Sequence, residues 1–479
     1  MSERSQRVRS SSADNLPALA VVPFATGFDV PHYLGVALAE KLINKIGNQN
    51  SGIAVVAARD STLALARRGL EPRAIGAALH TDFVLTGALY RKRKQARIRA
   101  AMMRTADGSE LWIEDFLLET DSIAALASEL ATRVAVRLHG PHFVIRFRLE
   151  QFHESHVAEA AELHHRAHHE WHSLERHRMQ DATDLLSRAI ELDPSFVGAR
   201  VCFANLCVAQ SFYGFVSPQI AATMIRKKAA ADDAPPDVLL PALGWISFHV
   251  DHDLTSALRA FARAAHLPPD SWRCRNRNTL AVSRHRFDEA LDGLQQGIAA
   301  DPYSSWLRAR RAWVLHLAGQ AGASVDQVRE NLEMFSGENG ILAYAAIILA
   351  YNGETAEAVE LARGLADRSP HYDVASAVLA YALACAGRPS EAIALLDRLQ
   401  WLGRERYALR SFNAAAYLAL GEPERAMEEL RASLESRCPW FFQTLADPRL
   451  APLRTRPDFR EMLATLSRME SEAAGAGLQ

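Results

Sequence analysis

Eight of the chain's 18 histidines lie between His153 and His177: His153, His156, His164, His165, His168, His169, His172 and His177. His164, His168 and His172 are spaced by four, which sets three imidazoles on one stripe of a helix; His165 and His169 form a second such pair. Neutral imidazoles at this spacing can share a transition metal, and the ring titrates close to neutral pH. The tetrad His169-Glu170-Trp171-His172 is the nearest approach to a zinc-protease helix, but its histidines have the wrong separation for two ligands on one face. The plainer reading is the part-exposed outer helix of a repeat, on which histidine is one polar residue among several. That reading is preferred, and no metal or other cofactor is expected.

Arg91–Lys94, with Arg97 and Arg99, is the densest basic run and could touch phosphate. It has no interleaved aromatic residue and sits where a hairpin turn belongs, so a solvated loop is the better reading. No GxxxxGK[ST] loop, GxGxxG turn, GxSxG elbow or HExxH helix occurs. A non-enzymatic protein is therefore expected. A third set of residues suits recognition: Trp272 and Trp306 are 34 positions apart, and Arg275, Thr279, Trp313 and His316 accompany them. Tryptophan and arginine dominate protein interfaces. Tryptophans that plug gaps between repeats are the competing explanation.

The elements that position these residues belong to a chain of 479 residues, 49% hydrophobic and 23% charged, with net charge −2. So even a balance gives no global attraction to nucleic acid or to an anionic membrane. Five cysteines, an odd number without a CxxC pair, do not make a disulfide framework and suit a reducing compartment. Ala18–Val22 stops at Pro23, too short for a signal-peptide core. The longest apolar runs, Ile341–Tyr351 and Val374–Ala386, fall below the ~20 residues of a membrane span. A cytoplasmic location is expected.

Two grammars divide the chain. Residues 1–16 read as a disordered leader. Over 17–140, strand-like runs (Leu19–Phe24, Ile53–Ala57, Phe83–Tyr90, Ala96–Met103, Glu110–Leu118) alternate with helical spacing at His32–Ile46, Leu70–Leu79 and Asp121–Leu138. This predicts an α/β sandwich with a mixed sheet. Over 141–465 helical spacing dominates and the text repeats. Small residues Ala290, Ala358, Ala392 and Ala426 are separated by 68, 34 and 34 positions, and Gly319, Gly353, Gly387 and Gly421 are each 34 apart. Small residues let paired helices approach, glycine makes the turn, and prolines such as Pro194, Pro269, Pro302 and Pro370 end the second helix. Such pairs stack into an all-α solenoid. Residues 466–479 read as a disordered tail.

The period resembles the tetratricopeptide repeat family. The segments "ALAVVPF", "HYLGVALAEKLINKI", "IAVVAARDSTLALARRGLEPRAIGAALHTDFVLTGALYR" and "RIRAAMMRTADGSELWIEDF" resemble the TolB-like α/β domain of bacterial winged-helix transcriptional regulators and repeat-coupled adenylate cyclases. Trp440–Leu463 resembles the terminal helix of the same proteins. The resemblance implies a sensory and interaction module. With only about 16 residues ahead of it, the output domain of those proteins is expected to be absent from this chain. The expected function is a regulatory protein–protein interaction scaffold or sensor with a partner on the concave repeat face. No direct nucleic-acid or membrane partner is expected, and self-association is compatible with the pattern. The alternative is a transcriptional or cyclase-associated regulator whose DNA-binding or output domain is missing, truncated or on another chain.

Overall fold

In the computed structural model the described residues are 16–28, 30–47, 54–92, 95–117, 123–139, 155, 157–171, 175–229, 237–264, 271–335 and 338–477. They fall into two compact units: 1–169 with 299–304, and 170–298 with 305–479.

The first unit is built on strands β1 (Ala18–Val21), β2 (Ala25–Thr26), β3 (Val55–Val56), β4 (Phe83–Lys92), β5 (Gln95–Arg104) and β6 (Glu110–Leu117). The order is β3-β1-β4-β5-β6, with β2 also paired to β4. The β1–β3, β1–β4 and β2–β4 ladders are parallel, and β4–β5 and β5–β6 are antiparallel, so the expected mixed sheet is present. Alternation decides which side chain goes where. Leu19 and Val21 face α1 (His32–Gly47) and α4 (Ile123–His139), whereas Ala20 and Val22 face α2 (Arg59–Arg67) and α3 (Pro72–Ala78). At Gly35 a Cβ would sit 1.9 Å from the Phe24 carbonyl oxygen, so only glycine lets α1 come this close to the strand edge. Helix α2 has no counterpart in the sequence reading. Leu63 and Leu65 are two apart and make no helical stripe; the helix is held by burial of Ser61, Thr62, Leu63 and Leu65. Helix α5 (Ala158–Trp171) carries His164, His165, His168 and His169, and its residues up to His169 fall in this unit.

The second unit is a helical repeat array. After α6 (Arg176–Leu192) come α7 (Val197–Phe212) with α8 (Pro218–Met224), then α9 (Leu240–His249) with α10 (Leu254–Arg263). Next are α11 (Ser271–Ser283) with α12 (Phe287–Ala300), and α13 (Ser305–Leu317) with α14 (Ala321–Met334). The series ends with α15 (Asn339–Tyr351) and α16 (Thr355–Arg368), α17 (Asp373–Cys385) and α18 (Pro389–Glu405), and α19 (Ser411–Ala419) and α20 (Pro423–Glu435). These are tetratricopeptide-like pairs. Ala257, Ala290, Ala358, Ala392 and Ala426, on the second helices α10, α12, α16, α18 and α20, are at most 1% exposed. Ser324 takes that place on α14, and its hydroxyl donates to the Ala321 carbonyl at 2.7 Å.

The four repeated glycines occupy the inter-helix turns with φ between +70° and +89°. Each turn closes by an amide reaching back to the first helix, as from Glu354 to the Leu349 carbonyl at 2.9 Å. No heavy atom lies within 4 Å of a Cβ built at any of the four, so conformation and not crowding selects glycine. His285, 34 residues before Gly319, holds the same left-handed backbone at φ +58°. It continues the period without the glycine that would have announced it.

Past α20 the chain does not fray. Helix α21 (Phe441–Leu445), a 3₁₀ turn (Pro448–Leu453) and α22 (Pro457–Gly475) follow. The expected disordered tail from 466 is thus largely helical, because Leu466, Met469 and Ala473 are buried on one stripe of α22. Among the described residues no helix is long and apolar enough to cross a membrane, and no strand occurs past residue 160.

Candidate functional site

Each first helix of the repeats contributes residues to one inner face, and the C-terminal segment lies across it. Trp440 donates its indole N–H to the Phe212 carbonyl at the end of α7 at 2.9 Å and packs edge-on to Phe412 of α19 at 5.1 Å. Phe442 meets Phe248 of α9 at 5.3 Å, and its carbonyl lies 2.8 Å from the His285 Nε2. Asp447 and Arg449 go deepest. They are 1% and 5% exposed, joined at 2.6 Å, and Asp447 lies 3.4 Å from His316 of α13. The Arg449 guanidinium stands over Tyr381 of α17 at 4.7 Å and Trp313 of α13 at 5.7 Å. Burial pushes the Asp447 carboxyl up. The Arg449 charge and His316 outweigh that and hold it well below the usual carboxylate range.

The inner face therefore differs from the open surface expected from the sequence. Thr279, Trp313 and His316 are buried at 7%, 1% and 1% exposure, the last two beneath Asp447 and Arg449. Trp306, one turn before Arg310 on α13, is half-buried. Trp272 and Arg275 belong to α11, but their side chains lie outside the described residues.

Higher on the same face is a cluster that the sequence reading did not single out. Arg310 of α13 is 3% exposed. Its Nε donates to the Asn278 Oδ1 at 3.1 Å, and Tyr344 of α15 hydrogen-bonds to it. The Asn278 amide is held in turn by the Ala290 carbonyl at 3.0 Å. Among the described residues the Arg310 Nη2 has no hydrogen-bond partner and no carboxylate acts on the group. Tyr213, just past α7, and Tyr372, just before α17, approach with rings 6.0 Å apart and interact electrostatically with Tyr344. Burial raises both Tyr344 and Tyr372 above the ordinary phenol value, so they stay protonated and can donate. Desolvation lowers the Arg310 guanidinium from its ordinary value.

The array curls far enough for its ends to help enclose this cluster. A Cβ at Gly214, after α7, would be 2.8 Å from Leu409, which leads into α19. Arg176 at the start of α6 donates to the Phe215 carbonyl at 2.9 Å. Arg406 satisfies Asp373 with two contacts of 2.7 Å, leaving that carboxylate committed. Arg310 and Tyr344 are 34 positions apart and Trp313 and Tyr381 are 68 apart, so repeat register could have placed each pair on one face. Tyr213, Tyr372 and Asp447 stand outside regular repeat positions and gave no such signal.

Helix α5, read from the sequence as part-exposed, carries a mixture of buried, half-buried and exposed residues. His164 is half-buried beside α1, its ring 5.6 Å from the buried His165, and desolvation lowers it to about 4. His168 and His172 have side chains outside the described residues, and among those described no trio of His, Cys, Asp or Glu is arranged to hold a metal. Arg91–Lys94 likewise have side chains outside the described set, while β4 continues to Lys92 and β5 resumes at Gln95.

No protein-family model and no curated protein matches the chain. Among solved structures it is similar to a tetratricopeptide repeat protein from Parabacteroides merdae ATCC 43184. That match has 13% identity and a TM-score of 0.32, over 64% of this chain and 99% of the other. It is also similar to the TPR domain of P58(IPK), at 14% identity and a TM-score of 0.20, over 66% of this chain and 99% of that one. Likeness at this level carries no functional content.

Proposed function

We propose that the chain is a non-enzymatic regulatory scaffold and sensor whose helical repeats bind a protein partner. What supports this is the row of half-buried aromatic side chains on the first-helix face: Trp306, Tyr344 and Tyr372. These rings, near an arginine, are the types that carry protein interfaces. By sequence register alone we add Trp272 and Arg275 of α11 to the proposed set; Thr279, Trp313 and His316 support the surface from beneath. A photo-crosslinking residue placed at Trp306 or Tyr372, expressed in the native cell, tests the reading. Discrete adducts are expected from these positions and not from Glu360 or Arg398, which are exposed on second helices. Absence of an adduct from the inner positions, or equal labelling from all four, overturns it.

A further inference from the structure

We infer that the cluster around Arg310 is a binding site for a small-molecule oxyanion, a phosphoryl or carboxylate group. Arg310 brings a cationic group inside the fold with neutral partners, Asn278 and Tyr344, and with an Nη2 donor that nothing described accepts. An uncompensated buried charge is expensive, and an anion that accepts from it removes that penalty. The surrounding groups have the matching polarity. The hydroxyls of Tyr344 and Tyr372 remain protonated at neutral pH and are donors. The acceptor that faces Arg310, the Asn278 oxygen, is already used. Asp373, the adjacent carboxylate, is neutralised by Arg406. Repulsion from an unpaired acid is thus absent among the described residues of the cluster.

The residues come from separate repeats: Asn278 from α11, Arg310 from α13, Tyr344 from α15, with Tyr213 and Tyr372 from flanking turns. Asn278 and Tyr344 reach the guanidinium, and Tyr213 and Tyr372 stand beside Tyr344; side chains gathered from that many elements make the arrangement of a ligand site rather than of a surface patch. Size follows from the enclosure. Trp440 stands 5.9 Å from Arg310 on one side, and the Gly214–Leu409 contact closes the array near Tyr213. Tyr213, Tyr344 and Tyr372 each retain some exposed surface, which gives solutes an approach. A small molecule fits these limits better than an extended peptide. The site stands on this geometry alone and does not require the protein partner proposed above.

The test uses the full chain with inorganic phosphate and acetate as probes, each titrated against sodium chloride of equal ionic strength. Melting temperature and titration calorimetry are the readouts. At least one anion is expected to raise the melting temperature saturably, and the preferred probe tells phosphoryl from carboxylate. Arg310→Met is expected to weaken binding by about tenfold or more, the usual loss when a charged hydrogen bond is removed. Tyr372→Phe and Tyr344→Phe, which delete only hydroxyls, should each weaken it less, and they decide the matter if Arg310→Met does not fold. The proposal is overturned if neither anion does more than chloride, or if the folded variants respond as the unaltered chain does.

Discussion

Substituting Asp447 tests whether the C-terminal segment is seated on the inner face as described. Asp447 is 1% exposed and its pairing with Arg449, 5% exposed, runs through Nε at 3.0 Å and Nη2 at 2.6 Å. It also accepts from the Arg449 backbone amide at 2.9 Å, capping the turn that follows. Asp447→Ala leaves a buried guanidinium without its carboxylate, which costs about 3–5 kcal/mol. The lost cap adds about 1 kcal/mol. Asp447→Asn keeps an oxygen for the cap and should recover roughly that last 1 kcal/mol. Removing both charges as Asp447→Leu/Arg449→Met should be less harmful than the sum of the single changes, with a coupling of about 2 kcal/mol. Urea unfolding followed by tryptophan fluorescence, for which Trp313 and Trp440 are neighbouring reporters, measures these three variants and the single changes Asp447→Leu and Arg449→Met. Single substitutions that cost under about 1 kcal/mol, or costs that simply add, refute the placement of the pair. Acid gives an independent reading. A carboxyl whose folded pKa is depressed contributes stability above its unfolded value, about 3.9, and that contribution is lost as pH falls below it. The Asp447 variants should therefore lose less stability than the unaltered chain on going below pH 4.

His249 is 3% exposed among Trp245, Phe248 and Phe212, and burial lowers it to about 3. Its contribution is present above pH 6.5 and declines as pH falls towards about 3, so His249→Leu should flatten that part of a stability–pH curve; an unchanged slope contradicts the assignment. Gly353→Ala should cost about 1 kcal/mol by chemical denaturation, because φ is +89° and space around it is open; no loss at all would contradict that turn. Ala358→Arg, at a position 0% exposed between helices, should cost several times more, about 4 kcal/mol or loss of folding, and an unchanged melting curve would sink the repeat packing. His285→Gly relieves a left-handed backbone at φ +58° but gives up the contact with the Phe442 carbonyl, so it should be more stable than His285→Ala by about 1 kcal/mol in the same assay.

The local grammar was legible in the residues alone. Apolar, strand-like runs at Leu19–Phe24 and Phe83–Tyr90 marked strands, and the 34-residue recurrence of Gly319, Gly353, Gly387 and Gly421 marked the turns, because backbone twist and helix pairing are set by a few neighbouring residues. Where the local signal was spread thin it failed. Helix α2 has no apolar stripe, and His285 carries a glycine's backbone with a side chain selected for Phe442. What the inner face holds was settled by packing between distant repeats. Asp447 and Arg449 look like an ordinary polar turn in the sequence, yet they end up buried against Trp313 and Tyr381, and Tyr344 meets Tyr213 and Tyr372 only through the curl of the array. Repeat spacing fixes how each pair joins the next. Where the two ends of the stack arrive depends on small rotations summed over many pairs, and those rotations leave no mark in any one stretch of sequence.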